Sequence, residues 1–307
     1  MKKYLFTLLA GLIGFSSYSQ DIKDGKSLIE AYVSPLGYSL GAALNNGWYN
    51  TAKPHKLGGF DVTITANIVM IPEEAKSFNI SKSNGNTFSG GETPTVLGNG
   101  DGAKIDYQGN LNEMPKGINI PIVPLPMLQA GVGLIKGTEI DIRYMPELKI
   151  SSIGKVGLFG IGLKHDVLQW LPIVDKIPID LSIQAGYTNL TTEIMLSEPN
   201  LNTEATTNLD ISATTINLIL SKKVLMFTPY IGLGYNSIKT AFNIDEDYNI
   251  AGLNIDIAEL TKIEFESKNN FRANIGFRFN VTVIALQANY TFSEYPTATL
   301  GVGISLR

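Results

Sequence analysis

The residues able to do chemistry are few. His165-Asp166 is the one place where a histidine stands beside a carboxylate. An imidazole oriented by an acid is half of a hydrolytic site, and the other half is a nucleophile within reach. The pair falls at a strand end before Trp170 and Pro172, so it reads as a structural turn, and the chain reads as a non-enzyme. His55 follows Pro54 and reads as a hydrogen-bonding residue that holds its own segment. Asp245, Asp247 and Asn249 have the alternate spacing of a calcium loop, with Asp256 at the twelfth position. The sixth position is Ile250, where the sharp turn requires Gly, and the last ligand should be Glu. This stretch reads as an acidic outer loop that holds a divalent cation only loosely. Gly98-Asn99-Gly100-Asp101-Gly102 lacks the Lys-Ser/Thr pair and the following helix of a phosphate loop, and reads as a flexible surface loop. No catalytic, metal or cofactor residue is assigned.

Composition narrows the class. Zero Cys excludes a disulfide framework, a Cys zinc site, a Cys nucleophile and a lipidated Cys. No stretch is strongly basic and the net charge is −4, which sets nucleic acid aside as a partner. An apolar share of 44% with so low a charge excludes a disordered chain. Lys2 and Lys3, the apolar run Tyr4 to Phe15 and the small residues Ser16, Ser17 and Ser19 have the pattern of a secretory signal, with cleavage near Ser19. The run is too short for the roughly 20 residues of a spanning helix. Residues 1–19 are therefore expected to be removed on export.

The remaining elements must position any site. Leu28, Ile29, Tyr32, Val33 and Leu36 have helical spacing, and Pro35 is expected to end that helix. A Gly- and Asn-rich stretch follows to Gly59, holding Trp48, Tyr49 and His55. Strict alternation starts at Phe60, with Val62, Ile64 and Ile68 on its face and Asp61, Thr63, Thr65 and Asn67 on the other. It returns in Glu139-Asp141-Arg143 against Ile140-Ile142-Tyr144, around Phe159, Leu181, Tyr230 and Phe271, and to the end of the chain. Leu209 to Leu220 is a strand with mixed faces. Ile118 to Ile135, with Pro121, Pro124 and Pro126, reads as an extended connection entering a strand. Ser81 to Asn112 reads as a long polar loop, with room for a short hairpin.

Many strands run to ten residues or more, where soluble proteins average about five or six and an outer membrane needs about nine to eleven. The fold class is all-β: a transmembrane antiparallel up-and-down barrel of about 10 to 14 strands, residues 58–307, with an N-terminal helical and loop hatch over residues 20–57 and a long loop at 81–112. Its expected address is the outer membrane. A soluble periplasmic β protein with the faces exchanged is the rival reading. The chain ends Ser305-Leu306-Arg307, where such barrels commonly end on an aromatic residue. Arg143, Arg272 and Arg278 lie on polar faces and are assigned to the lumen, either lining a path or pairing with carboxylates such as Glu139 and Asp141. Trp48 and Tyr49 are the plug contacts, since aromatics combine large area with a polar tip. Tyr144, Tyr187, Tyr230 and Tyr290 are candidates for an interface girdle or for the lumen.

Four stretches carry a resemblance. They are Leu28 to Tyr32 with Ser34-Pro35-Leu36, Asn45 to His55, Pro126 to Leu134 with Gly137-Thr138-Glu139 and Arg143-Tyr144, and Gly162 to Asp166 with Gln169 to Pro172. Together they resemble a family of uncharacterised Gram-negative proteins, a domain of unknown function, over most of residues 28 to 190. The layout is more distantly similar to the outer-membrane long-chain fatty-acid transporter superfamily, whose N-terminal segment folds into a fourteen-stranded barrel as a hatch. That resemblance implies a hatch at Leu28 to His55 and a small hydrophobic ligand. Passive uptake or binding of such a compound is the expected function, with outer-membrane lipid and the barrel-assembly machinery as partners. A non-transporting barrel serving as scaffold or shuttle for a secretion or surface-assembly complex is the alternative.

Overall fold

Alternation decides the wall. In the computed structural model, Val62, Ile64 and Ile68 of β1 (Phe60–Met70) face outward, while Asp61, Thr63, Thr65 and Asn67 are buried inward. The structure describes residues 19–83, 88–107, 109–150, 154–170, 178–198, 203–244, 262–267 and 270–306. Residues 1–18 of the expected secretory signal (1–19), the tip Asn84-Gly85-Asn86, Pro172, the expected acidic loop from Asp245 to Asp256 and Arg307 lie outside these residues.

Helix α1 (Ser19–Asn45) precedes β1. A cap follows β1: β2 (Ser77–Asn79), the short helix α2 (Ile80–Ser83), β3 (Ser89–Gly90), β4 (Glu92–Pro94), β5 (Lys104–Tyr107) and β6 (Asn110–Glu113). Then come β7 (Ile122–Gly133), β8 (Thr138–Ile150), β9 (Gly154–Asp166), β10 (Asp180–Glu198), β11 (Thr203–Ser221) and β12 (Phe227–Ile244). The short β13 (Lys262–Glu266) pairs with the far end of β12, and β14 (Phe271–Val281), β15 (Ile284–Phe292) and β16 (Thr297–Leu306) finish the chain. In order β1-β7-β8-β9-β10-β11-β12-β14-β15-β16 the strands are antiparallel neighbours, and β16 returns to β1. The barrel is closed, with ten strands.

Its outer surface is an apolar belt. Ile64, Phe159, Ile161, Leu233, Ile275 and Ile304 are each at least half exposed, with many similar neighbours. So large an apolar surface is stable against lipid rather than water. Tyr144 and Tyr187 stand in this outer surface, whereas Tyr230 is buried in the lumen.

The two ends differ. One end has tight connections at residues 134–137, 222–226 and 282–283. The other carries the cap, and β10 and β11 run 19 residues toward it. At about 3.4 Å per residue such strands outreach a hydrocarbon layer of roughly 30 Å. We call these the turn mouth and the loop mouth.

Proline 35 does not end α1, contrary to expectation. The helix runs ten residues further, to Asn45. An interior proline removes one backbone bond and costs about 3 kcal/mol. Here apolar contacts on both sides of it offset that cost. Leu28, Ile29, Tyr32 and Val33 before it, and Ala43 and Leu44 after it, are buried against inward residues of the wall such as Leu209, Ile211, Ile238 and Phe265. The cap packs above with Phe88, Leu97 and Ile105. Tyr32 Oη donates to Lys116 O at 2.9 Å, and Val96 N donates to Tyr32 O at 3.0 Å. The stretch from Ser81 to Asn112 is thus a folded lid, and β5–β6 is its hairpin. The proline-bearing stretch is also more regular than expected: Ile122 to Gly133 is strand throughout.

The helix lies flush on β12. A Cβ at Gly37 would sit 2.7 Å from Thr240 Oγ1, and one at Gly41 would run into Ile238. Gly41→Val is expected to lift α1 and to cost about 1–3 kcal/mol by overpacking. A lower urea midpoint, with the heat-dependent gel mobility of a closed barrel retained, would show it. Burial also holds the Tyr32 and Tyr38 phenols up at about 12, and the nearby Glu30 and Glu294 add to the effect at Tyr38. In the unfolded chain a tyrosine ionises near 10, so between about pH 10 and 12 the unfolded chain has fewer protons bound than the folded one. Stability must therefore fall as pH rises through that window. Urea titrations at pH 8 and pH 11 should show the fall, and Tyr32→Phe should reduce its slope.

Candidate functional site

The lumen has two chambers with different chemistry. Toward the loop mouth the inward residues are apolar, among them Val69, Leu125, Met127, Leu158, Leu190 and Phe242, and α1 fills the space. Toward the turn mouth they are polar, including Asp61, Gln129, Glu139, Asp141, Lys164 and Gln184. The limb from Asn46 to Gly59 crosses this second chamber to reach β1.

Two arginines hold the junction. Arg143 on β8 donates from Nη1 to Leu44 O at 2.7 Å, from Nη2 to Asn46 O at 2.8 Å and from Nε to Gln129 Oε1 at 2.8 Å. Arg272 on β14 donates from Nη1 to Asn45 O and from Nη2 to Asn46 Oδ1, both at 2.6 Å. Leu44 O and Asn45 O belong to the carbonyl end of α1, where intrahelical donors run out and the helix dipole is negative, and Asn46 follows directly after it. Arg278 reaches the limb lower down, donating to Asn50 Oδ1 at 2.7 Å. Each of the three is at most 1% exposed. Contact with the plug is what the two sequence readings of these arginines, a lumen path or pairing with carboxylates such as Asp141 and Glu139, do not include.

Trp48 sits under Arg143, whose guanidinium carbon is 3.6 Å from the ring centroid. Such a desolvated cation–π contact is worth about 2 kcal/mol. The ring lies on bare backbone: a Cβ at Gly162 or Gly186 would meet it at 2.7 and 2.5 Å. Tyr49 Oη donates to Asn274 Oδ1 at 3.2 Å, and its ring meets Tyr230 edge-on at 5.9 Å. Ser182 Oγ donates to Ala52 O, and Ala52 N donates to Ser221 Oγ at 3.0 Å. His55 N donates to Glu139 Oε2 at 2.6 Å, Lys164 Nζ binds Glu139 Oε1 at 2.6 Å, and His55 Nε2 lies 3.7 Å from Asp61 Oδ2. A cavity of about 10 Å³ remains among Trp48, His55, Thr63 and Gln287, room for one water.

His165 is outside this network. It meets Thr138 Oγ1 through Nδ1 at 2.9 Å and accepts Trp170 Nε1–H through Nε2 at 2.9 Å at the turn mouth. Gly37-Tyr38-Ser39-Leu40-Gly41 spells a Gly-x-Ser-x-Gly pattern. It lies within α1 rather than at a strand-to-helix turn, and Ser39 Oγ donates to Leu36 O at 2.9 Å. Among the described residues no three His, Cys, Asp or Glu side chains are placed to hold a metal.

The wall itself carries a second feature. β7 pairs with β1 along its length, from Ile122↔Met70 to Val132↔Phe60, and β8 pairs with β9 as far as Ile150. Between β7 and β8, however, pairing stops at Gln129↔Arg143. Above that point both strands keep an unpaired edge. Pro124 and Pro126 stand there, and the unbroken register with β1 means that their missing N–H groups would have faced β8. Opposite them β8 carries Pro146 and shifts register between Met145 and Leu148. Neither edge is built to zip. Leu125, Met127, Met145 and Leu158 lie behind the open seam, so it leads into the apolar chamber. Pro124, Pro126 and Pro146 are its signals in the sequence.

A ten-stranded barrel with an apolar outer belt, a helix in its lumen and one unzipped seam is a plugged barrel of the outer-membrane class. The profile of a family of unknown function (DUF6588) matches residues 1–306, and the chain belongs to that family. No curated protein matches it. Among solved structures it is similar to the attachment invasion locus protein Ail of Yersinia pestis, at 12% identity over 81% of this chain and 99% of that one, with a TM-score of 0.30. It is also similar to the translocator domain of the autotransporter NalP of Neisseria meningitidis, at 11% over 90% and 96%, TM-score 0.36. A Pseudomonas aeruginosa FadL homologue matches at 11% over 77% and 61%, TM-score 0.30.

Removing the fork of Arg143 leaves Leu44 O buried without it, at about 1–3 kcal/mol, and leaves Asn46 O with the 3.3 Å bond from Asn67 Nδ2. Protease cleavage within residues 20–57 should be fastest in Arg143→Met, slower in Arg143→Lys, which restores charge without the fork, and slowest in the wild type.

Proposed function

We propose that the protein resides in the outer membrane and takes up or binds a small hydrophobic compound. The route joins the apolar chamber around α1 to the bilayer through the seam between β7 and β8. The open seam carries this reading. Unpaired backbone is not tolerated against lipid unless it is covered or lines a cavity, and this edge backs onto side chains that suit an apolar guest. The plug fills the lumen, which speaks against a water-filled pore. The cap folds down onto α1 instead of reaching outward, so the scaffold alternative has no observation of its own.

The prolines supply the test. Pro124→Val/Pro126→Val/Pro146→Val restores the missing donors on both edges and lets β7 zip to β8. In liposomes, transfer of a small hydrophobic fluorescent probe should fall severalfold in this variant while its heat-dependent gel shift persists. Equal transfer by wild type and variant, both closed barrels, would overturn the seam as the route.

A further inference from the structure

The contacts of α1 and its limb form a single descending series. Tyr32 meets Lys116 of the cap, and Tyr38 Oη donates to Glu266 O at 3.0 Å. Gly37 faces Thr240, Gly41 faces Ile238, and Asn45 meets Arg272. Tyr49 follows at Asn274, Ala52 at Ser221 and His55 at Glu139, and Gly59 N–H and C=O close on Lys56 and Gly133 beside Phe60. The order along the chain is the order from loop mouth to turn mouth, with no return. A helix entering from the turn mouth would have to rise and descend again to reach β1.

The leading end of the series lies at the loop mouth. There Lys23 is exposed while Asp24 beside it is buried, and a cavity of about 380 Å³ lined by Ser27, Glu30, Ser34, Tyr38, Ser83 and Glu294 lies along residues 27–38. We infer that the barrel carries its own leading segment outward through its lumen and presents the start of α1 on the outer face of the membrane. The inference rests on the outer-membrane reading above, in which the mouth with long connections faces outward. The start of α1 is then a displayed element, reachable by macromolecules outside the cell, while its carbonyl end stays locked to Arg143 and Arg272.

A chain without cysteine makes the test clean. Single cysteines are placed at Lys23 (Lys23→Cys), at Asp101 in the cap (Asp101→Cys) and at Lys222 in the turn mouth (Lys222→Cys), all exposed positions. Intact cells are treated with a maleimide-polymer too large to pass porins, with heat-dependent gel mobility as the check on each variant. Labelling of Lys23→Cys and Asp101→Cys on intact cells, and of Lys222→Cys only after the outer membrane is opened, is the expected result. Labelling of Asp101→Cys alone would overturn the inference and leave the membrane orientation standing. Labelling of Lys222→Cys alone, or of none of the three, would overturn the orientation or the membrane reading itself, and the inference with it. An epitope tag ahead of Lys23, probed by antibody on intact cells, gives a second reading that needs no cysteine.

Discussion

A helix that ends inside a barrel has a problem water cannot solve. Its last carbonyls have no intrahelical donors, and in a filled lumen no solvent reaches them. Arg143 and Arg272 answer that need from nearly opposite stretches of the wall. The exchange is mutual: burying a guanidinium is expensive unless its donors are satisfied, and the helix end with Asn46 takes two bonds from each arginine. Arg272 Nε and the Asn45 side chain remain without partners, so the joint is strong rather than perfect. The position of Trp48, the fall of the limb and the division of the lumen into two chambers all follow from where this joint sits.

Much of this was legible in the sequence. Alternation in β1, β8 and β14 separates the lipid face from the lumen, and it puts Arg143, Arg272 and Arg278 inside without any structure. The partners of those arginines were not legible. Asn46 and Arg272 are far apart in sequence, and no local pattern joins a helix end to a strand that closes over it later. The mixed faces of β11 have a similar explanation. Its inward residues change from Leu209, Ile211 and Ala213 to Thr215 and Asn217 because they line two chambers in turn, so polarity along one face carries two messages. Pro35 misled for a third reason. Local propensity sets a prior, and packing on every side of the helix overrode it.

The same prolines that obscured β7 in the sequence explain it in the structure. A barrel normally abolishes edges by closure. Here closure is complete at the turn-mouth half of every pair, while β7 and β8 are kept apart above it by residues that lack donors. The end of the pairing is therefore marked by covalent chemistry, in side chains that close onto their own backbone nitrogens.

Trp48 adds a consequence of another kind. The chain has two tryptophans. Trp170 stands in solvent at the turn mouth, while Trp48 is sealed between glycine backbone and a guanidinium in the heart of the plug. The two indoles thus report from opposite environments in the same molecule. Their emission spectra separate the state of the lumen from that of the surface, so the plug carries its own optical label and its departure could be followed without attaching a dye.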